Sequence, residues 1–109
     1  MANNLITIKK RSTFVHVRDH GKFIRSSSFN LQILEDLQLE KVISIGYTAT
    51  KRLGNAIIRN KSKRIMRELA KKVITEYGKI NFYYVIIAKA NLLNKSFKDL
   101  ELELKKLIV

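Results

Sequence analysis

Arg59, Lys63, Arg67 and Lys71 follow one another at intervals of four residues. On an α-helix residues four apart share a face, so this spacing sets four cations in a row with no carboxylate among them. Like charges at that separation oppose the helix by roughly 0.2–0.5 kcal/mol per pair. Surface helices usually relieve this by mixing Glu with Lys, yet residues 51–72 hold nine basic residues and one acid, Glu68. A phosphate backbone removes the repulsion, and arginine adds a planar fork that grips phosphate at two points. The chemistry indicated is the binding of a polyanion.

Bond-breaking chemistry finds little support in the chain. His16 and His20 lie four apart and share a helical face, but a two-histidine metal site needs a third ligand and an orienting partner. Asp19 is adjacent in sequence and projects elsewhere. An acid and a base for phosphodiester cleavage should stand on opposite sides of the phosphate, not on one face. Two surface histidines are therefore the expectation. There is no cysteine, which excludes a thiol nucleophile, a disulfide framework and a Cys-based zinc site. No nucleophile motif, phosphate-cradling glycine loop or carboxylate cluster for paired metals is present. The chain is expected to hold no catalytic residue and no metal ligand of its own.

These residues need elements to place them. The longest is a helix over about 55–77, stopped by Gly78 as a C′ glycine. At 100° per residue it divides into two arcs. Ile58, Ile65, Met66, Leu69, Ala70 and Val73 form the apolar one; Asn60, Lys61, Lys63, Arg64, Arg67, Lys71 and Lys72 form the other, with Arg59 near the seam. The apolar arc must lie on a sheet. A short first helix runs through Phe14 and Val17, with Ser12 as N-cap and Gly21 at its end. Strands are predicted at 22–25, at 29–33, where apolar and polar residues alternate, and within 39–50, with acidic Glu35, Asp36 and Glu40 in the loop between the last two. The wholly apolar run at 82–88 reads as a buried central strand. Ser96 caps a last helix, with Asp99 at the capping-box position and Phe97, Leu100, Leu104 and Leu107 on one stripe. The expected fold is an α/β two-layer sandwich, order αβββαβα, with helices packed on a mostly antiparallel four-stranded sheet.

With 109 residues, 46% apolar, the chain makes one globular domain, 1–109. Twenty-two Lys and Arg against nine Asp and Glu leave a formal charge of +13, which points to nucleic acid before an anionic membrane surface. The apolar runs are too short to span a bilayer, and residues 1–8 lack the layout of a signal peptide. A cytoplasmic protein is expected, with no membrane partner and no small-molecule substrate. A double-stranded DNA reader would mix base-reading side chains into its exposed face; this face is nearly all cations, suited to backbone.

The stretch Thr50-Lys51-Arg52-Leu53-Gly54-Asn55-Ala56, continuing through Arg59-Asn60-Lys61, Lys63-Arg64 and Arg67-Glu68, resembles the signature of the bacterial ribonuclease P protein family. Lys9, Lys10, Phe14, Val17 and Gly21 resemble its first helix, Ser44-Ile45-Gly46-Tyr47-Thr48 the strand entering the signature, and Val85-Ile86-Ile87-Ala88 a late strand, so the likeness covers nearly the whole chain. The resemblance implies a left-handed βαβ crossover and a non-catalytic subunit. That subunit would help a catalytic RNA remove the 5′ leader of precursor tRNA, with Mg²⁺ held mainly by the RNA. It further implies that Arg59, Asn60, Lys61, Lys63, Arg64 and Arg67 contact the RNA subunit, with Lys51 and Arg52 at the approach; Lys71, on the same cationic face, is expected to bind RNA with them. A cleft marked by Phe14, Arg18 and Gln32 would take the single-stranded leader. Three positions depart from the family pattern: Lys61 stands for an arginine, and Arg18 and Gln32 for aromatics found in some members. Leader contact would then rest more on charge and hydrogen bonds. The competing function is that of a structural, ribosomal-type RNA binder with no processing role.

Overall fold

The computed structural model describes residues 5–109; residues 1–4, part of the stretch read as lacking a signal peptide, lie outside the described residues. The chain runs β1 (Leu5–Thr7), α1 (Arg11–His20), β2 (Lys22–Arg25), β3 (Phe29–Glu35), β4 (Ile43–Thr48), α2 (Ala56–Leu69), β5 (Phe82–Ala88) and α3 (Phe97–Ile108). Past Leu69, α2 continues through a π-helical turn, Ala70–Ile74, and a last α-turn, Thr75–Tyr77. The strands form one sheet in the order β1-β4-β5-β3-β2. β1 and β5 both pair parallel with β4, while β3 pairs antiparallel with both β5 and β2.

Two features of the expected fold are overturned. The sheet has five strands and is mixed, not four-stranded and mostly antiparallel. β1 has only three residues, too few to display a period of two, and it owes its place to pairing with β4, where Ile6 faces Ser44. The β4–β5 pair is parallel because α2 carries the chain back across the sheet before β5 begins. Nor do the helices share one layer. Ile43, Ile45, Phe29, Leu31, Tyr84 and Ile86 bury one face of the sheet against α2 and α3. The alternate residues build a second, smaller core, Ile8, Val17 and Val85 with Phe14, Leu34, Tyr83 and Ile87, beneath α1.

Local chemistry sets the helix ends. Asn55 caps α2, its Oδ1 accepting the Ile58 N–H at 3.0 Å. The π-turn then lets Ala70, Val73 and Ile74 all stay buried beside Leu69. Ser96 caps α3 by accepting the Asp99 N–H at 3.2 Å, and Leu100, Leu104 and Ile108 are its buried stripe, with Phe97 and Leu107 at the margin. Ser12 is not a cap. α1 begins earlier, with the Thr13 and Phe14 N–H groups donating to the Lys10 carbonyl at 3.1 and 3.3 Å. Gly21 and Gly78 end their helices with φ of −86° and −70°, outside the left-handed region, and each returns its N–H to a carbonyl of the last turn.

Glu103 ties α3 to the turn between β2 and β3. Its carboxylate accepts the Ser28 N–H at 2.9 Å and the Ser28 hydroxyl at 2.7 Å, together with the Ser26 hydroxyl. Burial alone would raise its pKa; the Ser26 and Ser28 hydrogen bonds, helped by Lys95 at 3.9 Å, hold it below the ordinary 4.5. A depressed carboxylate stabilises the fold fully above its unfolded value and loses that contribution as the pH falls through the folded one. Glu103→Gln places an NH₂ where carboxylate oxygens accept, and should cost about 1–3 kcal/mol at neutral pH. Urea titration of both proteins at pH 7 and pH 4 checks this: the gap should narrow at the lower pH, and an unchanged gap would contradict the ionic tie.

Candidate nucleic-acid interface

The sheet-facing side of α2 fixes what its other side presents. With Ser62, Met66 and Leu69 buried, Asn60, Lys61, Lys63, Arg64, Arg67, Lys71 and Lys72 are exposed, and the preceding turn exposes Lys51 and Arg52. Ser62 is a polar residue at a core position, and its hydroxyl donates to the Ile58 carbonyl at 2.9 Å. Arg59 is half-buried. Its Nε is shielded from solvent and finds no hydrogen-bond partner among the described residues. Across this ridge, only Lys71 meets an acid among the described residues, Glu68 at 3.9 Å on the surface. Arg67 reaches back towards the end of β4. Burial raises the Tyr47 phenol above its ordinary range, and the Arg67 charge partly offsets that rise.

The other face of the sheet holds a cleft of about 330 Å³. Val85 and Ile87 of β5 form its apolar floor, Gln32 of β3 and Thr48 of β4 stand beside them, and Arg11, Phe14 and Arg18 of α1 form its wall. Phe14, Arg18 and Gln32, the three cleft residues expected from the sequence, are thus brought together. Phe14 also belongs to the small core, so it serves both packing and cleft. Its position depends on Gly46: a Cβ there would lie 2.5 Å from Phe14 Cε1. The aromatic ring therefore occupies space that any other residue on β4 would take. Arg18 bonds the adjacent Asp19 at 3.1 Å, both well exposed, an arrangement that costs little to break.

Two basic residues, Arg11 in the cleft and Lys89 beside it, were not foreseen. Arg11 shares the stripe of Phe14, Val15 and Arg18 at helical spacing i, i+3, i+4 and i+7, a periodicity visible in the sequence once the true start of α1 is known. Lys89 borders a neighbouring hollow of about 220 Å³ together with Arg52 and Thr50, and Thr50 also lines the cleft. Only the end of β5 against the turn after β4 brings Lys89 there, which no local pattern encodes. The α2 ridge and the cleft lie on opposite sides of the sheet, so the expected RNA-binding residues form two surfaces. The His16 and His20 rings meet at a tilt of 50° with centres 4.9 Å apart, and His16 lies edge-on to Tyr83 at 6.4 Å. Among the described residues no three His, Cys, Asp or Glu side chains gather as a metal site, and no helix is long and apolar enough to cross a membrane.

A family model described as Ribonuclease P matches residues 3–109. The ribonuclease P protein component of Syntrophus aciditrophicus is 33% identical over 102 residues, 93% of this chain and 82% of that protein. The corresponding component of Mycoplasma capricolum is 30% identical over 105 residues, 96% of this chain and 94% of that one. Among solved structures, the RNase P protein of Thermotoga maritima superposes with a TM-score of 0.79, covering 94% of each chain at 21% identity. That of Staphylococcus aureus gives 0.76 at 23% identity over 92% of this chain and 89% of the other. At these identities the structural likeness speaks for the fold alone.

Proposed function

Because the chain belongs to the ribonuclease P protein family, we propose that it divides its two basic surfaces between two RNAs during removal of the 5′ leader from precursor tRNA. It is the protein subunit of this ribonucleoprotein endonuclease, and the RNA subunit performs the cleavage. The alternative of a structural RNA binder gives way to the processing role that its relatives' names carry.

The observation supporting the division is the difference in chemistry across the sheet. The α2 ridge is convex, cationic and almost free of acids, which suits a folded RNA read through its phosphates. In our reading Arg59, Asn60, Lys61, Lys63, Arg64, Arg67 and Lys71, approached through Lys51 and Arg52, contact the RNA subunit. The cleft is concave, with an apolar floor, an aromatic wall and two arginines at its rim, which suits an unpaired strand whose bases need apolar surface and whose phosphates need charge. The leader occupies it against Phe14, Arg18 and Gln32. The donor set of the chain does not fit a Mg²⁺ site, since the described residues gather no carboxylate cluster. In this reading, as the family resemblance implies, the metal ions are held mainly by the RNA and the complex works in the cytoplasm. What the chain's residues do is neutralise phosphate, hold the leader and raise affinity for substrate.

Cleavage of a precursor tRNA by a bacterial ribonuclease P RNA at low Mg²⁺, with and without this protein, tests the assignment. Cleavage at the mature 5′ end should need both components. A protein that binds the RNA yet never rescues cleavage would return the structural alternative, and cleavage by protein alone would overturn the division of labour.

A further inference from the structure

The floor of the cleft does not end at Gln32. β2 lies beyond it as the edge strand, and in the β2–β3 register Phe23 stands directly opposite Gln32, and Arg25 opposite Asn30. Residues alternate between faces along a strand. Ile24 packs against the main core, so Phe23 and Arg25 present themselves on the other face, the one that holds the cleft. Directly opposed residues have Cβ atoms about 4.5–5.5 Å apart, which makes Phe23 the next surface after Gln32 for anything lying across the sheet. Half of Phe23 is open to solvent, at 50% relative exposure.

A lone exposed phenylalanine is ordinary on a protein surface. Phe23 is set apart by its company. It continues a floor already apolar through Val85 and Ile87, and it has a guanidinium two residues along the same face. Those two residues advance about 6.8 Å along the strand, so the ring can meet a base while Arg25 meets a neighbouring phosphate. The basic residues Lys22 and Arg25 also disfavour pairing of this free edge with another strand, which leaves the face open for a nucleic acid.

We propose that Phe23, on the edge strand beside Gln32, is a base-stacking contact that extends the cleft by one further nucleotide of single-stranded RNA, with Arg25 neutralising the adjoining phosphate. The proposal rests on the assignment of the cleft to the leader. An aromatic face accepts any base, so this contact adds affinity and reach without choosing a sequence.

Holoenzyme reconstituted with full-length protein, measured for binding to precursor tRNA with leaders of increasing length and to mature tRNA, tests it. Phe23→Ala should weaken binding of long-leader precursor by roughly 5- to 150-fold, the range of stacking losses, with no change for mature tRNA. Phe23→Trp should bind as well as the wild type, and Phe23→Leu, which keeps apolar area without a ring, should fall between. An abasic scan of the leader should find one position at which the wild type and Phe23→Ala become equal. Equal binding by wild type and Phe23→Ala at every leader length, while Arg18→Ala still weakens long-leader precursor, overturns the Phe23 contact and leaves the cleft assignment standing. If neither variant discriminates leader length, the cleft assignment falls as well. Equal weakening of mature tRNA by Phe23→Ala would place the contact on the tRNA body and overturn the proposal.

Discussion

Replacing Arg64 and Arg67 together with alanine is expected to weaken binding to the RNA subunit by roughly two to four orders of magnitude at low salt. A hydrogen bond to a charged group contributes on the order of 1.5–3 kcal/mol, and two are lost. The slope of log affinity against log salt should flatten by about 1.5 units, since each neutralised phosphate accounts for roughly 0.7–0.9. Both side chains are exposed and neither has an acidic partner among the described residues, so the fold should not suffer. Thermal stability should hold within about 0.5 kcal/mol, and can rise, because Arg67 is flanked four residues away by Lys63 and Lys71 and its removal relieves two like-charge pairs. Filter binding across a KCl series, paired with thermal melting, checks both halves. Parallel salt lines for the variant and the wild type would remove these residues from the interface.

The second large effect concerns Gly46, a residue that touches no RNA in this account. A side chain there would enter the space of the Phe14 ring, its Cβ 2.5 Å from Cε1 and 3.2 Å from Ile8 Cδ1. Gly46→Val must push Phe14 and α1 off the sheet. The overpacking cost is typically about 1–3 kcal/mol, and a domain of this size loses roughly 4–8 °C of melting temperature for each of those. With the wall displaced, the leader's contribution to precursor binding should disappear, while affinity for the RNA subunit through α2, on the other side of the sheet, stays. Combining Gly46→Ala with Phe14→Leu should recover stability relative to Gly46→Ala alone, because the pair share one space and are not additive. Leader affinity should not return with it. Recovery of both would mean that Phe14 contributes only packing.

What could be read from the sequence was whatever a local period or cap encodes. α2 was legible because Gly78 marks its end and its apolar and cationic residues separate at 3.6 per turn over many turns; β5 was legible because a run buried on both faces is wholly apolar. The α2 site residues followed, since a helix face is a local property. The cleft was legible only through resemblance. Phe14, Arg18 and Gln32 come from two elements, and their meeting is set by how α1 lies on β3 and β5. β1, the parallel pairing of β4 and the placing of α1 on its own face are all long-range facts. Three residues of Leu-Ile-Thr carry no period, and nothing in Gly46 announces that a ring from another element must rest on it. The π-turn in α2 escaped notice for a related reason: a single extra residue is lost in an amphipathic pattern that is only approximately periodic.

The chain contains no cysteine, so single cysteines can be introduced without background. One at position 64, on the exposed ridge of α2, and one at position 18, on the rim of the cleft, would each carry a short photoreactive crosslinker in the assembled complex of protein, ribonuclease P RNA and leader-bearing precursor. The account predicts that the probe at 64 labels the RNA subunit and the probe at 18 labels the 5′ leader. Labelling of one RNA by both probes, or the reverse pairing, would contradict the assignment of opposite faces of the sheet to different RNAs.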